Sequence, residues 1–257
     1  MATNMTDSKK SRLATLCALY FSQGVPWAFI TVAFVAVLVE NDSIVDDQVA
    51  ALTFAGTLPW MFGKLVLGPL IDRIRFPAYG LRRPWIIIAQ LGMIFTMAAF
   101  LTLEDPLADG NLEAGLSTIM LFFFIHNIFA TLQDVSSDAL AVDLIPDEDL
   151  ARANGFMFAS KGFGFMFAAI VLGGILSSSG FQAALMVQLP VLALIMMIPI
   201  FVLERPGDRR FPWDAKTEAA SSSTKAERMN FSEITSGLRS ALGGGAPAWA
   251  LLFAKMM

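Results

Sequence analysis

Apolar residues in this chain come in long blocks separated by short polar intervals. Six blocks, at roughly 13–39, 48–71, 84–103, 115–137, 153–178 and 181–203, each reach the length needed to cross a bilayer, about 20 mostly apolar residues for a helix. The expected fold is therefore an all-α membrane protein. It has a short leading segment (1–12), a six-helix bundle over 13–203, and a polar stretch over 204–246. That stretch, with Ser221-Ser222-Ser223, scattered charges and Gly243-Gly244-Gly245, reads as a linker, with room for an amphipathic helix around Asn230 to Leu242. A seventh apolar run begins near Pro247 and stops at Met257, so the chain is expected to end inside a helix.

Composition agrees and adds the orientation. Only 16% of the 257 residues are charged, 56% are hydrophobic, and soluble domains carry about 25% charged residues. Lys9, Lys10 and Arg12 precede span 1; Arg73, Arg75, Arg82 and Arg83 separate spans 2 and 3; Arg152 lies between spans 4 and 5; Arg205, Arg209, Arg210, Lys216, Lys225 and Arg228 follow span 6. The opposite connections, 40–47, 104–114 and 178–181, hold no Lys or Arg. Cations concentrate on the cytoplasmic side of a membrane protein, so the N-terminus is expected in the cytoplasm. The first apolar run is too long for a signal peptide and no small-residue cleavage site follows it. The single Cys17 allows no intrachain disulfide, and the lone His126 cannot build a histidine-based metal site.

The polar residues inside the spans carry the chemistry. In span 1, Ser22-Gln23-Gly24-Val25-Pro26-Trp27 predicts a kink at Gly24 and Pro26. It serves either packing alone or a broken helix that turns Ser22 and Gln23 toward a cavity. Span 2 contains Lys64, nine residues before Arg73, and is expected to break at Gly68-Pro69. A cation at that depth either snorkels to the headgroups or faces the bundle and finds a partner. In span 4, Asn127, Thr131, Asp134 and Asp138 follow one another at spacings of four, three and four, one polar stripe on a helix. Span 5 carries Lys161, nine residues after Arg152, a depth that matches Asp134 and suggests that the two pair or share a cavity with Lys64. Asp138 and Asp143 stand level with the arginines of the loop from Asp72 to Arg83 and are their expected counter-charges. His126 is read either as a hydrogen bond to a neighbouring helix or as a proton relay. Gly155, Gly162, Gly164, Gly173 and Gly174 make span 5 a close-packing helix.

The pattern Gly68-x-x-x-Asp72-Arg73 … Gly80-x-Arg82-Arg83 resembles the loop between helices 2 and 3 of major facilitator superfamily transporters. Six residues, Ile74 to Tyr79, separate Asp72-Arg73 from Gly80, a spacing similar to the muropeptide permease (AmpG-type) and acetyl-coenzyme A transporter branch. Lys64, Gln133-Asp134 … Asp138 and Gly24-Val25-Pro26 agree with that branch, over about residues 15–205. Leu81 departs from it, splitting Gly80 from Arg82-Arg83. The Gly-Pro signature of drug–proton antiporters is absent from span 5.

The resemblance implies a six-helix N-terminal half of a transporter that works by alternating access, commonly with protons. On this sequence Asp72, Arg73, Arg82, Arg83, Asp138 and Asp143 would form a cytoplasmic gate. Lys64, Asn127, Asp134, Lys161 and Gln23 would face substrate or coupling proton, and Gly24, Pro26, Gly68 and Pro69 would act as hinges. The expected partners are an anionic small-molecule substrate, protons, the lipid bilayer and a second six-helix half; a bacterial cytoplasmic membrane is the expected location. A non-transporting membrane scaffold or assembly factor on the same fold is the alternative. No catalytic pair stands at membrane depth, so no enzyme is expected, and no cofactor, metal or nucleic acid.

Overall fold

The computed structural model describes residues 4–76, 78–106, 111–211 and 213–214. Among them six helices are long and apolar enough to cross a membrane: Lys9–Glu40 (span 1), Asp46–Arg73 (span 2), Arg83–Thr102 (span 3), Gly115–Leu144 (span 4), Asp147–Ser179 (span 5) and Phe181–Phe201 (span 6). Two isolated bridges are the only extended pairings among the described residues. The expected linker beyond Asp214 and the start of a seventh helix at 247–257 lie outside them.

Local chemistry sets the helix ends. Ser8 caps span 1, its hydroxyl accepting from the Ser11 N–H at 3.2 Å, which satisfies one of the orphan donors of the first turn. Span 2 starts at Asp46, with Gln48 reaching back to the Val45 N–H at 3.1 Å. Span 4 continues past the polar Ser136-Ser137-Asp138 to Leu144 and stops only before Pro146, because a residue preceding proline is driven out of the helical region. Span 5 then opens with Asp147, Glu148 and Asp149 in its first turn, where negative charge complements the helix dipole.

Two expected hinges are not breaks. Span 1 is regular α-helix through Gly24 and Pro26; the irregularity follows, as a π turn over Phe29–Phe34. Span 2 likewise runs unbroken through Pro59, Gly68 and Pro69. A proline removes one N–H from the ladder, and a membrane helix absorbs that loss by local adjustment of its turns.

Gly24 is needed for a different reason. Spans 1 and 5 lie against each other so closely that a Cβ on Gly24 would strike the carbonyl oxygen of Lys161, and one on Gly164 that of Phe21. Small residues at such crossings let backbones approach, which is how membrane helices associate without a hydrophobic drive. Ser160 adds an interhelical bond, its hydroxyl donating to the Cys17 carbonyl at 2.7 Å. Span 5 carries its own π turn, Ala168–Leu172, which packs against that of span 1.

Elsewhere span 2 packs on span 4, and span 3 on spans 4 and 6. Phe181, at the start of span 6, is enclosed by the rings of Phe29, Phe34 and Phe100. At the opposite end, which carries the arginine-rich loop, Met5 is buried with Leu16, Tyr20, Leu140 and Met157. Its N–H bonds the Leu203 carbonyl at 2.8 Å, tying the leading segment to the end of span 6.

Candidate functional site

Spans 1, 2, 4 and 5 each send a polar or aromatic side chain into one cluster. Lys64 of span 2 meets Asp134 of span 4 at 2.8 Å and Asp138 one helical turn further at 3.6 Å. The three differ in exposure: the Asp134 side chain is 5% exposed, Lys64 35% and Asp138 43%. Asp138 also accepts a hydrogen bond from the Tyr20 hydroxyl of span 1. A buried carboxylate is tolerable when a cation and hydrogen bonds replace its water, and Lys64 does this for Asp134. Direct pairing of Lys161 with Asp134, one of the two arrangements expected, is thus corrected: helical spacing placed both at one depth, but span 4 packs far more extensively on span 2 than on span 5.

Lys161 instead sits on aromatic rings. Its ammonium is 4.5 Å from the Trp60 ring centroid and 6.0 Å from that of Tyr20, within the range of a cation–π contact. Trp60 is held in place by Asn127, whose side-chain oxygen accepts from the indole N–H at 2.8 Å while its amide donates to the Phe123 carbonyl at 2.8 Å. Asn127 thereby orients Trp60. Trp27 of span 1 meets Trp60 edge-on, centroids 6.5 Å apart.

Behind this cluster lies a buried polar lock. Gln90 of span 3 donates to Ser22 and to the Gln133 side chain, both at 2.8 Å, and Gln133 donates to the Leu19 carbonyl at 2.7 Å. Ser22 belongs to this lock and not to a cavity. Gln23, 2% exposed, has neither amide atom bonded among the described residues. His126 is buried and shares a 2.9 Å hydrogen bond with Thr96 of span 3, the simpler of its two readings.

At the arginine-rich end, Arg82 bridges Asp72 at 2.5 Å and Asp143 at 2.8 Å. It thereby clips the end of span 2 to the end of span 4. Burial works against the Arg82 cation, but its bonds to Asp143 and Asp72 outweigh that and raise its pKa above the ordinary arginine value. Asp143 is thus a counter-charge as expected. Asp138 is not; one helical turn deeper, it belongs to Tyr20 and Lys64. The Arg73 side chain makes no ion pair or hydrogen bond among the described residues.

Arg83 plays another part. Its guanidinium is buried and donates to the carbonyls of Pro199 and Ile200 at the end of span 6, of Tyr79, and of Arg209 beyond. Glu204, fully buried, accepts the N–H groups of Leu81, Arg82 and Arg83 at 3.0, 2.9 and 2.9 Å. One carboxylate therefore caps the start of span 3. Gly80, at φ +102°, turns the chain so that these amides converge, a conformation open to glycine at little cost. Asp208 sits beside this corner, where burial pushes its carboxyl up to about 6 against the pull of the Arg205 N–H.

Tyr20, Trp60 and Glu204 escape the sequence reading. Tyr20 precedes Gly24 by four residues and Trp60 precedes Lys64 by four, so helical phase places each beside a recognised position. Glu204 carries no such signal, because its partners are backbone groups more than 120 residues away.

An ion cluster drawn from three of the six spans and joined by Tyr20 of a fourth, beside a charge-clipped loop, describes a membrane transport fold. The sequence model of the Major Facilitator Superfamily matches residues 16–256, and the chain belongs to that superfamily. It is similar to the anhydromuropeptide permease of Escherichia coli (strain K12), 27% identical over 168 residues, 65% of this chain and 31% of that one. An uncharacterized protein of Haemophilus influenzae is 25% identical over 156 residues, 60% of this chain and 34% of its own. One of Schizosaccharomyces pombe is 23% identical over 172 residues, 66% and 32%. The chain thus spans about a third of the length of these curated relatives.

Proposed function

We propose that the chain supplies one six-helix half of a secondary transporter that takes up an anionic solute with protons by alternating access, a muropeptide-like molecule being the leading class. The observation that carries this is the cluster of Lys64, Asp134, Asp138 and Lys161, charges from three spans gathered in one place. Each charge at membrane depth costs about 2.5–3.5 kcal/mol on insertion scales, a cost that a scaffold on the same fold has no use for. The relation to an anhydromuropeptide permease supports the substrate class.

In this reading Asp134 and Asp138 exchange the proton, and Lys64 releases whichever carboxylate is neutralised. The Asp72–Arg82–Asp143 clip closes the cytoplasmic end and opens as the halves rock. A bacterial cytoplasmic membrane is the setting, and the second half completes the cavity.

The test uses the protein together with its second half in proteoliposomes holding a trapped pH dye. Anhydromuropeptides, acetyl-coenzyme A and short peptides are added one at a time. Internal acidification with one solute in the wild type, lost in Asp134→Asn, is expected. A folded protein that stays silent with all of them overturns proton-coupled uptake of this class.

A further inference from the structure

Among the described residues, Lys161 is the one cation of the cluster left without a carboxylate. Asp134 is held by Lys64 at 2.8 Å, and Asp138 by the Tyr20 hydroxyl and by Lys64 at 3.6 Å. The Lys161 ammonium rests on the face of Trp60, 4.5 Å from its centroid, beside the ring of Tyr20. An aromatic face attracts a cation but takes no proton from it, so the N–H groups turned away from the ring keep their capacity to donate. Trp60 cannot swing aside, because Asn127 holds its indole N–H. Span 5 cannot retreat easily either: the close crossing at Gly24 lies on the Lys161 carbonyl itself.

We infer that Lys161, seated on Trp60 and Tyr20, is the subsite that receives a single carboxylate group of the substrate, while Lys64 is reserved for the two aspartates. This rests on the transport reading above and divides its site in two. The two lysines and two aspartates sum to zero charge. One carboxylate on Lys161 leaves the cluster one negative charge in excess, which one proton on an aspartate cancels. A phosphate dianion would leave two, in a place where uncompensated charge is expensive. The ring of Trp27, set perpendicular to Trp60 at 6.5 Å, adds apolar surface to the same aromatic group.

The experiment is NMR of the purified protein in lipid nanodiscs, with its lysines labelled as 13C-dimethyl amines, which keep their charge. The Lys161 signal is assigned by its loss in Lys161→Arg, and the Lys64 signal by its loss in Lys64→Arg. N-acetylalanine, its neutral amide and inorganic phosphate are titrated separately. N-acetylalanine is expected to move the Lys161 signal saturably and the amide to leave it still. Affinity read by tryptophan fluorescence should fall about tenfold in Lys161→Gln, the loss of one charge-assisted contact. It should be largely kept in Lys161→Arg, and Trp60→Leu should weaken it with Lys161 intact.

Movement of Lys64 with Lys161 silent, equal response to the amide, unchanged affinity in Lys161→Gln, or tighter binding of phosphate each overturns the subsite. So does silence of Lys161 toward the carboxylate in a protein whose near-ultraviolet dichroism shows it folded. The two readings also separate. Carboxylate binding at Lys161 without acidification of proteoliposomes keeps the subsite and removes the transport reading. Acidification undiminished in Lys161→Gln does the reverse.

Discussion

Removing Lys64 should harm the fold more than removing its principal partner, and the structure gives the size of the difference. At an effective dielectric of about 20, unit charges at the observed separations attract by about 6 kcal/mol for Asp134 and about 4.6 kcal/mol for Asp138. In Asp134→Asn, Lys64 keeps Asp138 and its own 35% exposure to solvent, so little charge is orphaned and the loss should be about 1–2 kcal/mol. In Lys64→Met, Asp134 stays behind at 5% exposure with no cation on it, and breaking a buried pair this way costs about 3–5 kcal/mol. The double variant Lys64→Met/Asp134→Leu should regain most of that, because an apolar pair needs no compensation. The assay is unfolding in mild detergent as a double-mutant cycle, read by tryptophan fluorescence. A second cycle for Lys161 and Asp134 should show a coupling several-fold smaller. Lys64→Met milder than Asp134→Asn, or equal couplings in the two cycles, would refute the pairing.

The other predictions concern packing, the clip and pH. Gly164→Val should wedge spans 1 and 5 apart, costing about 1–3 kcal/mol as overpacking. Gly68→Ala, with nothing within 4 Å of the added methyl, should be neutral or stabilising by up to about 1 kcal/mol through helix propensity; thermal melts in detergent distinguish them. Arg82→Asp should loosen the clip and Arg82→Asp/Asp143→Arg restore it, measured as the accessibility of a cysteine placed at Ala139. Arg83→Gln should behave as a folding defect, read as lost yield and a lowered melting temperature, since its partners are carbonyls rather than acids. Asp208 is raised to about 6 from 3.8, so its neutral form fits the fold better. The contribution of Asp208 to the corner around Glu204 should be full below pH 3.8 and be lost as pH rises toward and through about 6. Hydrogen exchange at Arg205 to Arg209 should show that trend in the wild type and lose it in Asp208→Asn.

The sequence alone determines the number of spans, their approximate limits and the sidedness of the arginines, because each rests on a local property: run length, loop charge, or a proline at a helix end. It also marks Lys64, Asp134 and Lys161 as residues that must be answered for, since a charge inside an apolar run is visible without any fold. Partners are another matter. Equal depth made Lys161 and Asp134 look like a pair, yet depth fixes only one coordinate, and which helices face each other is decided by packing. The fit of Gly24 and Gly164 against opposing carbonyls sets span 5 on span 1, leaving Asp134 to span 2 and Lys64. The break expected at Gly68-Pro69 is absent for a related reason: a proline signals a missing hydrogen bond, while tertiary support decides whether the helix yields there. Glu204 was invisible because it answers backbone amides brought to it by the Gly80 turn, a relation with no trace in composition or spacing. Local chemistry thus marks which residues are costly to bury, and only the tertiary packing supplies the groups that make each of them tolerable.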